Sequence, residues 1–409
     1  MKILLYGINY SPELTGAGKY SGELGSWLAS NEHVVRVVTA PPYYPEWRIH
    51  SKYSAWSYTS DEEDGLKVIR CPLFVPARPK LFSRLLHLGS FALSSAFAVL
   101  AQARWKPDVI ILIAPTLCCA PAALCFSLLT GARSVLHIQD YELDAMFGLG
   151  LAGNGNKGWR RLISWAEGRI LRSFDRVSTI SPGMIQRAQE KGVRPDKILF
   201  FPNWSDIKTF QGHSKSHELL RRLGVDPCRP VALYAGNIGE KQGLEIVIEA
   251  AQLVHETSNL QFLIVGEGAG KPQIVTLAAE KGLKNVFFGP LQPDSELPKL
   301  LASADCHLVI QKRGAADSVL PSKLTNILAT GGNAVITADI DTSLGRLCQT
   351  HPGIAICVTP ESAEAIVKGV YAALALPGHN EVAAAYAAEH LDKDRILSRF
   401  EMDIEAIRL

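Results

Sequence analysis

The sequence predicts an α/β protein built of two doubly wound parallel-sheet domains that face each other across a cleft. Three observations lead there. Short runs rich in Val, Ile and Leu alternate with helix-length segments along the whole chain. The runs are apolar at consecutive positions, the mark of strands covered on both faces. The alternation also stops in a polar stretch, 204–217, and then restarts with its own glycine turns.

In the first series the strand-like runs fall at 2–8, 34–40, 66–72, 109–114, 134–140, 176–181 and 198–203. In the second they fall at 230–237, 260–268, 286–291, 306–312, 334–338 and 355–359. These runs place a first domain at 1–205 and a second at 206–380. The segment 381–409 is helical in pattern, carries no strand, and reads as a tail that returns to the first domain.

With 409 residues, 47% of them apolar, the chain can bury two cores, which excludes disorder and repeat arrays. Lys and Arg number 42 against 40 Asp and Glu, a net charge of +2, so no basic excess exists to hold nucleic acid by its phosphates. The eight cysteines lie mostly in apolar runs without zinc or thioredoxin spacing and read as buried, reduced thiols of a cytoplasmic protein. The opening MKILLYGINYSPE has one lysine and too short an apolar stretch for a signal peptide, so a cytosolic chain is expected.

Segment 76–106 is close to the minimum length for a membrane span, but it holds Ser94 and Ser95 and joins two strands of one sheet. Arg78, Lys80, Arg84, Arg104 and Lys106 flank it, with Phe82, Phe91, Phe97 and Trp105 interleaved, the composition of an interfacial helix. Residues 78–92 fit an interfacial helix and a buried helix with solvated ends equally well, and 93–101 reads as core. The stretch 157–172, with Trp159, Arg160, Arg161 and Trp165, is a shorter version of the same pattern.

Gly16 and Gly18 precede the first long helix, where backbone N–H groups and the helix dipole can meet an anion. The second domain repeats the device after two strands: Gly236, Asn237 and Lys241 lie in AGNIGEKQG, and Gly266 and Gly268 in VGEGAGK. No GxGxxG is present, and glycine-lined strand ends of this kind point to a nucleoside diphosphate at the carboxyl edge of the sheets. In the window 311–326, Lys312 and Arg313 lead to Pro321, Ser322 as N-cap and Lys323 in the first helical turn. Cations avoid helix N-termini unless an anion also sits there.

His137 comes late in its run and either reaches a sugar from the strand end or is a satisfied core histidine; the sequence leaves both open. His307, inside a run, reads as core. No DxD pair and no cluster of His, Cys and carboxylates has metal-ligand spacing, so neither metal nor other cofactor is expected. Helix N-termini with Lys and Arg would then stabilise a departing diphosphate.

The glycine loop after the first strand, His137 at the fifth, and the windows GNIGEKQG and PSKLTNILATGG together resemble the GT-B glycosyltransferases of family 4, over the whole chain. The blocks MKILLYGINYSPELTGAGKY, APPYYPEW, HIQDYELDAM and FFPNWS are similar to members that act in colanic acid exopolysaccharide assembly. The resemblance implies a retaining transfer of L-fucose from GDP-fucose to a polyprenyl-diphosphate-linked saccharide on the inner face of the cytoplasmic membrane. It implies an acceptor-binding first domain and a nucleotide-sugar-binding second one. It also implies that Asn237 and Gln242 stand where Arg and Lys usually grip the diphosphate, with Lys241 one place early. Ser318 and Asn326 stand where two glutamates eight residues apart are usual, and Lys323 of the PSK variant is left to restore positive charge.

On this reading His137 and Lys323 are catalytic. Gly16, Gly18, Gly236, Asn237, Lys241, Gly266, Gly268, Lys312, Arg313, Ser322 and Asn326 bind the donor, and Arg78, Lys80 and Arg84 meet acceptor and membrane. A nucleotide-sugar 2-epimerase of the same fold and a non-catalytic nucleotide-sugar-binding protein are the competing readings.

Overall fold

The computed structural model describes residues 1–13, 16–77, 81–141, 157–240, 242–313 and 321–408. The chain forms two compact units, Met1–Pro202 with Leu397–Leu409, and Asn203–Ile396. The first unit is built on eight strands: β1 (Lys2–Gly7), β2 (Val34–Thr39), β3 (Thr59–Glu63), β4 (Leu66–Arg70), β5 (Val109–Ala114), β6 (Arg133–Ile138), β7 (Arg176–Thr179) and β8 (Ile198–Phe200). Their order across the sheet is β3-β4-β2-β1-β5-β6-β7-β8.

The central strand β5 is apolar throughout and buried at every position, as a strand covered on both faces must be. The sheet is parallel except at its edge, where β3 runs antiparallel to β4. Strand β3, with the sequence TSDEE, has no apolar run and is missing from the expected strands. It persists as an edge strand because neither of its faces has to enter the core.

After β4 the chain crosses to the far side of β1 through the helix Leu81–Ala101. Phe91 and Val99 are fully buried on its inner side, and the Ser95 hydroxyl shares a 2.7 Å hydrogen bond with the Tyr6 phenol. The expectation that 93–101 is core fails for half of that segment. Leu93 is 72% and Phe97 73% exposed, and Leu100 is exposed too, because this apolar helix has a sheet on one side only. Leu128 and Leu129, at the end of the helix Ala120–Thr130, are exposed as well. Cys118, Cys125 and Cys228 are exposed, against the expectation of buried thiols.

The second unit has six parallel strands, β9 (Val231–Ala235), β10 (Gln261–Val265), β11 (Val286–Gly289), β12 (Cys306–Val309), β13 (Ala334–Thr337) and β14 (Ile356–Val358), in the order β11-β10-β9-β12-β13-β14. Alternate side chains feed two cores. Leu233, Leu263 and Ile336 enter one, while Tyr234, Phe262, Ile264 and Val335 enter the other. The chain moves outward from β9 to β11 and returns to β12 on the other flank of β9. A switch of this kind opens a crevice at the carboxyl ends of β9 and β12.

The tail divides at Leu397, where 381 was expected. Ala383 and Ala387 of the helix Glu381–His390 lie in one core cluster with Leu324 and Leu328 of the second unit, small side chains letting the helices approach. From Leu397 the last helix belongs to the first unit: Phe400 stacks on Phe201 with centroids 3.8 Å apart, and Leu397 and Ile404 are fully buried.

Candidate functional site

The glycine loop of the first unit is closed by the chain itself. A Cβ on Gly18 would lie 2.5 Å from Oε2 of Glu13, so glycine there makes room for that carboxyl against the helix Gly16–Ser30. Glu13 is 5% exposed, and its Oε1 accepts from the Tyr43 and Tyr44 amides at 3.1 and 3.0 Å while Oε2 accepts from Asn9 at 2.9 Å. Burial nevertheless raises its pKa to about 7, the amide bonds only partly offsetting the loss of water. The space at Gly18 is thus taken by a carboxyl of the protein, while a Cβ on Gly16 would meet only Tyr44, at 3.9 Å. Nothing in the sequence alone marks Glu13, since the amides that hold its Oε1 lie thirty residues on.

In the second unit the glycine positions serve two purposes. A Cβ on Gly266 would come within 1.8 Å of the Gly236 carbonyl oxygen, and one on Gly268 within 2.3 Å of that of Ile238. Gly236 N–H donates to Val265 O at 2.9 Å and Ile238 N–H to Glu267 O at 2.9 Å, continuing the ladder past the strand ends. Gly266 and Gly268 are therefore glycines because backbone meets backbone there, which differs from the expected phosphate contact.

Gly236 differs from them. Its φ of +145° favours glycine, and Lys323 packs beside it in ordinary contact, with Nζ 3.5 Å from where a Cβ would be. Lys323 Nζ donates to the Tyr234 hydroxyl at 2.7 Å and lies 4.0 Å from the ring centroid. The hydroxyl in turn donates to the Asn237 carbonyl at 2.5 Å. Lys323 projects from the start of the helix Ser322–Ala329, opposite to the dipole's preference, and desolvation lowers its pKa to about 7. No charge of the described residues adds to that shift. Pro321, not Ser322, occupies the cap position, and Ser322 is the first helical residue, its side chain lying outside the described residues. Tyr234 is the member the sequence reading missed: inside an apolar strand it reads as core, and its hydroxyl meets Lys323 only through tertiary folding.

The remaining expected donor residues divide. The Lys312 side chain packs over Gly243, with Cγ 2.7 Å from where a Cβ would be. Arg313 is held by Asp339 at 3.1 Å. Asn326 is buried, and its Oδ1 accepts from the Ser205 hydroxyl at 2.9 Å. Lys241 and Ser318 lie outside the described residues, as do Arg78 and Lys80, whereas Arg84 is exposed beside Trp47.

His137 is 2% exposed and sits among Phe201 and Phe400. Its Nδ1 is 2.9 Å from the Ser178 hydroxyl and its Nε2 3.0 Å from the Gln139 amide nitrogen, an arrangement that suits a neutral ring with Nδ1–H donating. Burial lowers its pKa to about 3. As placed, neither ring nitrogen is open to a sugar, so the core alternative describes it. His33, Glu401 and Glu405 bring their ligand atoms within 4.8 Å of one another, a grouping that sequence spacing hides because the last helix supplies two of them. Their one close contact is the 2.5 Å pair of His33 Nε2 with Glu401, which ties that helix to the first unit.

Two doubly wound units in one chain, with Lys323 held at the switch point of the second sheet, define the GT-B class of nucleotide-sugar enzymes. The family described as "Glycosyl transferase 4-like domain" matches residues 15–204, and "Glycosyl transferases group 1" matches residues 216–390. The chain belongs to the GT-B glycosyltransferases of family 4. It is 56% identical over 407 residues to the colanic acid biosynthesis glycosyl transferase WcaI of Escherichia coli (strain K12), covering 99% of this chain and 100% of that protein. Among solved structures it is similar to sucrose-phosphate synthase from Thermosynechococcus elongatus, with TM-score 0.76 at 16% identity, covering 100% of this chain and 99% of that one. It is also similar to HepE of Anabaena in complex with UDP-glucose, with TM-score 0.69 at 15% identity, covering 99% and 100%.

Proposed function

We propose that this glycosyltransferase carries out metal-independent, retaining transfer of L-fucose from GDP-fucose to a polyprenyl-diphosphate-linked saccharide, in assembly of a colanic acid type exopolysaccharide at the inner face of the cytoplasmic membrane. The observation that carries the reading is Lys323, desolvated beside Gly236 at the carboxyl edge of β9 and β12. A diphosphate entering there supplies the negative charge that would keep the lysine protonated. The lysine then stabilises the charge that develops on the diphosphate as the glycosidic bond breaks, an effect worth about 3–4 kcal/mol for one well-placed group. Asn237 and Gly236 line this position, and Lys312 and Arg313 stand on the loop after β12 as further cations. The name of the E. coli relative supports the colanic acid assignment, the HepE complex supports a nucleoside-diphosphate sugar as donor class, and GDP-fucose rests on the resemblance of the opening blocks.

The membrane part of the reading rests on the outer face of the helix Leu81–Ala101. Phe82, Leu93 and Phe97 are each more than 70% exposed, with Leu128 and Leu129 exposed on the neighbouring helix. Arg84 precedes this face, and the exposed Arg104 and Lys106 follow it. Fully burying a Leu or Phe side chain is worth about 1.5–3 kcal/mol, against about 1 kcal/mol for a cation near anionic lipid, so the apolar side chains dominate and the cations select the lipid. Leu93→Glu with Phe97→Glu is expected to abolish sedimentation with phosphatidylglycerol vesicles while turnover on a water-soluble acceptor analogue is kept. Unchanged sedimentation would move the membrane face to the helix Lys157–Ser173, where Leu162 and Trp165 are exposed.

The donor part is tested on the purified full chain with GDP-fucose, GDP-mannose, UDP-glucose and UDP-galactose, a polyprenyl-diphosphate saccharide acceptor, and chelator throughout. Transfer from GDP-fucose alone, with retained anomeric configuration, is expected. Transfer from another sugar nucleotide replaces the donor, and loss of transfer on adding chelator rejects metal independence. Nucleotide binding without transfer from any donor leaves a binding protein.

A further inference from the structure

Tyr234 joins the two elements that carry the candidate donor groups of the second unit. It is on β9, and its fully buried ring belongs to one core cluster with Ile238, Phe262, Ile264 and Val335. Burial raises the pKa of the phenol, so the hydroxyl keeps its proton and donates it to the Asn237 carbonyl at 2.5 Å. The N–H of that same peptide group, carried by Ile238, donates to Glu267 O at 2.9 Å. The peptide that follows Gly236 by one residue is thus held through both its oxygen and its nitrogen. With its proton committed to Asn237, the phenol oxygen offers only lone pairs to Lys323, whose Nζ donates to it at 2.7 Å and lies 4.0 Å from the ring centroid. Among the described residues Tyr234 is the hydrogen-bond partner of Lys323, and no charge of theirs adds to the lysine's shift. An ammonium has three N–H donors, so this contact uses one and sets the direction of the other two.

We propose that Tyr234 is a positioning residue for glycosyl transfer: its hydroxyl sets the Lys323 ammonium and the Asn237–Ile238 peptide of the glycine loop at one fixed spacing, so that both meet the donor diphosphate without rearranging. The proposal rests on the reading of Lys323 as the diphosphate cation. A lysine stem is a flexible four-carbon chain, and ordering it costs entropy. The Tyr234 ring is clamped by the core, so a lysine tied to its oxygen is ordered before the donor arrives. A cation fixed in advance stabilises developing charge better than one that must be ordered as the bond breaks. An oxygen that accepts from the lysine also favours its charged form over the neutral one. Tyr234 acts through Lys323 and not on the sugar.

Tyr234→Phe in the full chain keeps the ring and removes only the hydroxyl. With GDP-fucose its kcat is expected to fall about tenfold, with a smaller change in KM. In the Lys323→Met background the same substitution is expected to change turnover less than about twofold, because the group it acts through is gone. The second arm reads the lysine directly. In protein isotopically labelled at lysine Cε, the Lys323 NMR signal, assigned by its absence from Lys323→Met, is expected to titrate about one pH unit lower in Tyr234→Phe, since the oxygen that favours the ammonium has been removed. The titration needs no donor and reads the contact whichever sugar nucleotide is used. An equal loss of turnover in both backgrounds makes Tyr234 a structural side chain and overturns the proposal, as does an unchanged Lys323 titration. Lys323→Met with parental turnover rejects the lysine's role and the positioning role with it. Failure of the proposal alone looks different: Lys323→Met is crippled while Tyr234→Phe is as active as the parent.

Discussion

The glycine loop of the first unit and the glycine loops of the second use the same local chemistry to opposite ends. In the first, space cleared by Gly18 is filled by the Glu13 carboxyl, which the Tyr43 and Tyr44 amides hold against the helix Gly16–Ser30. In the second, Lys323 lies beside Gly236 at the strand end, and the start of the helix Ser322–Ala329 gains a positive charge it does not favour. The first arrangement is satisfied as it stands. The second is improved by an incoming anion, and a comparison of the two separates a glycine loop that organises the fold from one that waits for substrate.

The comparison can be broken first at Lys323. Lys323→Met is expected to lower turnover about 10²–10³-fold while the thermal midpoint holds or rises, because the variant removes a desolvated cation and keeps the chain length. Steady-state kinetics beside a melting curve check this, and activity within a few-fold of the parent would shift the role to Lys312 or Arg313. Next comes Gly18→Ala, expected to destabilise by about 1–3 kcal/mol in urea unfolding, since the added methyl displaces Glu13 from the Tyr43 and Tyr44 amides. His137→Ala is expected to destabilise comparably by leaving Ser178 and Gln139 without their partner.

The pH dependence sharpens the contrast further. Glu13 titrates near 7 in the fold against 4.5 when unfolded, so the native state binds the extra proton and stability falls as pH rises from about 4.5 to 7. Lys323 titrates near 7 against 10.5, so the unfolded state binds the extra proton and stability rises from about pH 7 to 10.5. At about 1.4 kcal/mol per unit the two shifts correspond to about 3 kcal/mol for Glu13 and about 5 kcal/mol for Lys323. Glu13→Gln should flatten the lower window and Lys323→Met the upper, read as unfolding midpoints across pH. The smallest effect is in binding. GDP should take up close to one proton per site at pH 8, measured by calorimetry in buffers of different ionisation enthalpy, and none in Lys323→Met.

Strands were the most legible feature, because a parallel strand buried on both faces needs apolar residues at every position, as β5 and β10 show. Strand β3 was not legible, since an edge strand can be polar throughout. At the candidate site Lys323 could be read because a cation at a helix start breaks a local rule. Tyr234 and Glu13 break none: one is an aromatic in a strand and the other an acid in a loop, and only the assembled unit brings Lys323 to the first and the Tyr43 and Tyr44 amides to the second. The exposed face of the helix Leu81–Ala101 was misread for a related reason. A helix apolar on all sides has no pattern to say which side the sheet covers. His137 shows the limit of position in a run, for it is near a strand end and still enclosed by Phe201 and Phe400.

Phe400 also bears on how the chain is made. It stacks on Phe201, and Leu397 and Ile404 are buried beside it in the unit whose other residues are the first to leave the ribosome. The unit synthesised first is therefore the one finished last, after the whole of the second unit has emerged. Through that interval Phe201 lacks its stacking partner. Residues 1–202 expressed alone would lack it permanently, so the first unit is a domain by its contacts but not a separable piece of the gene.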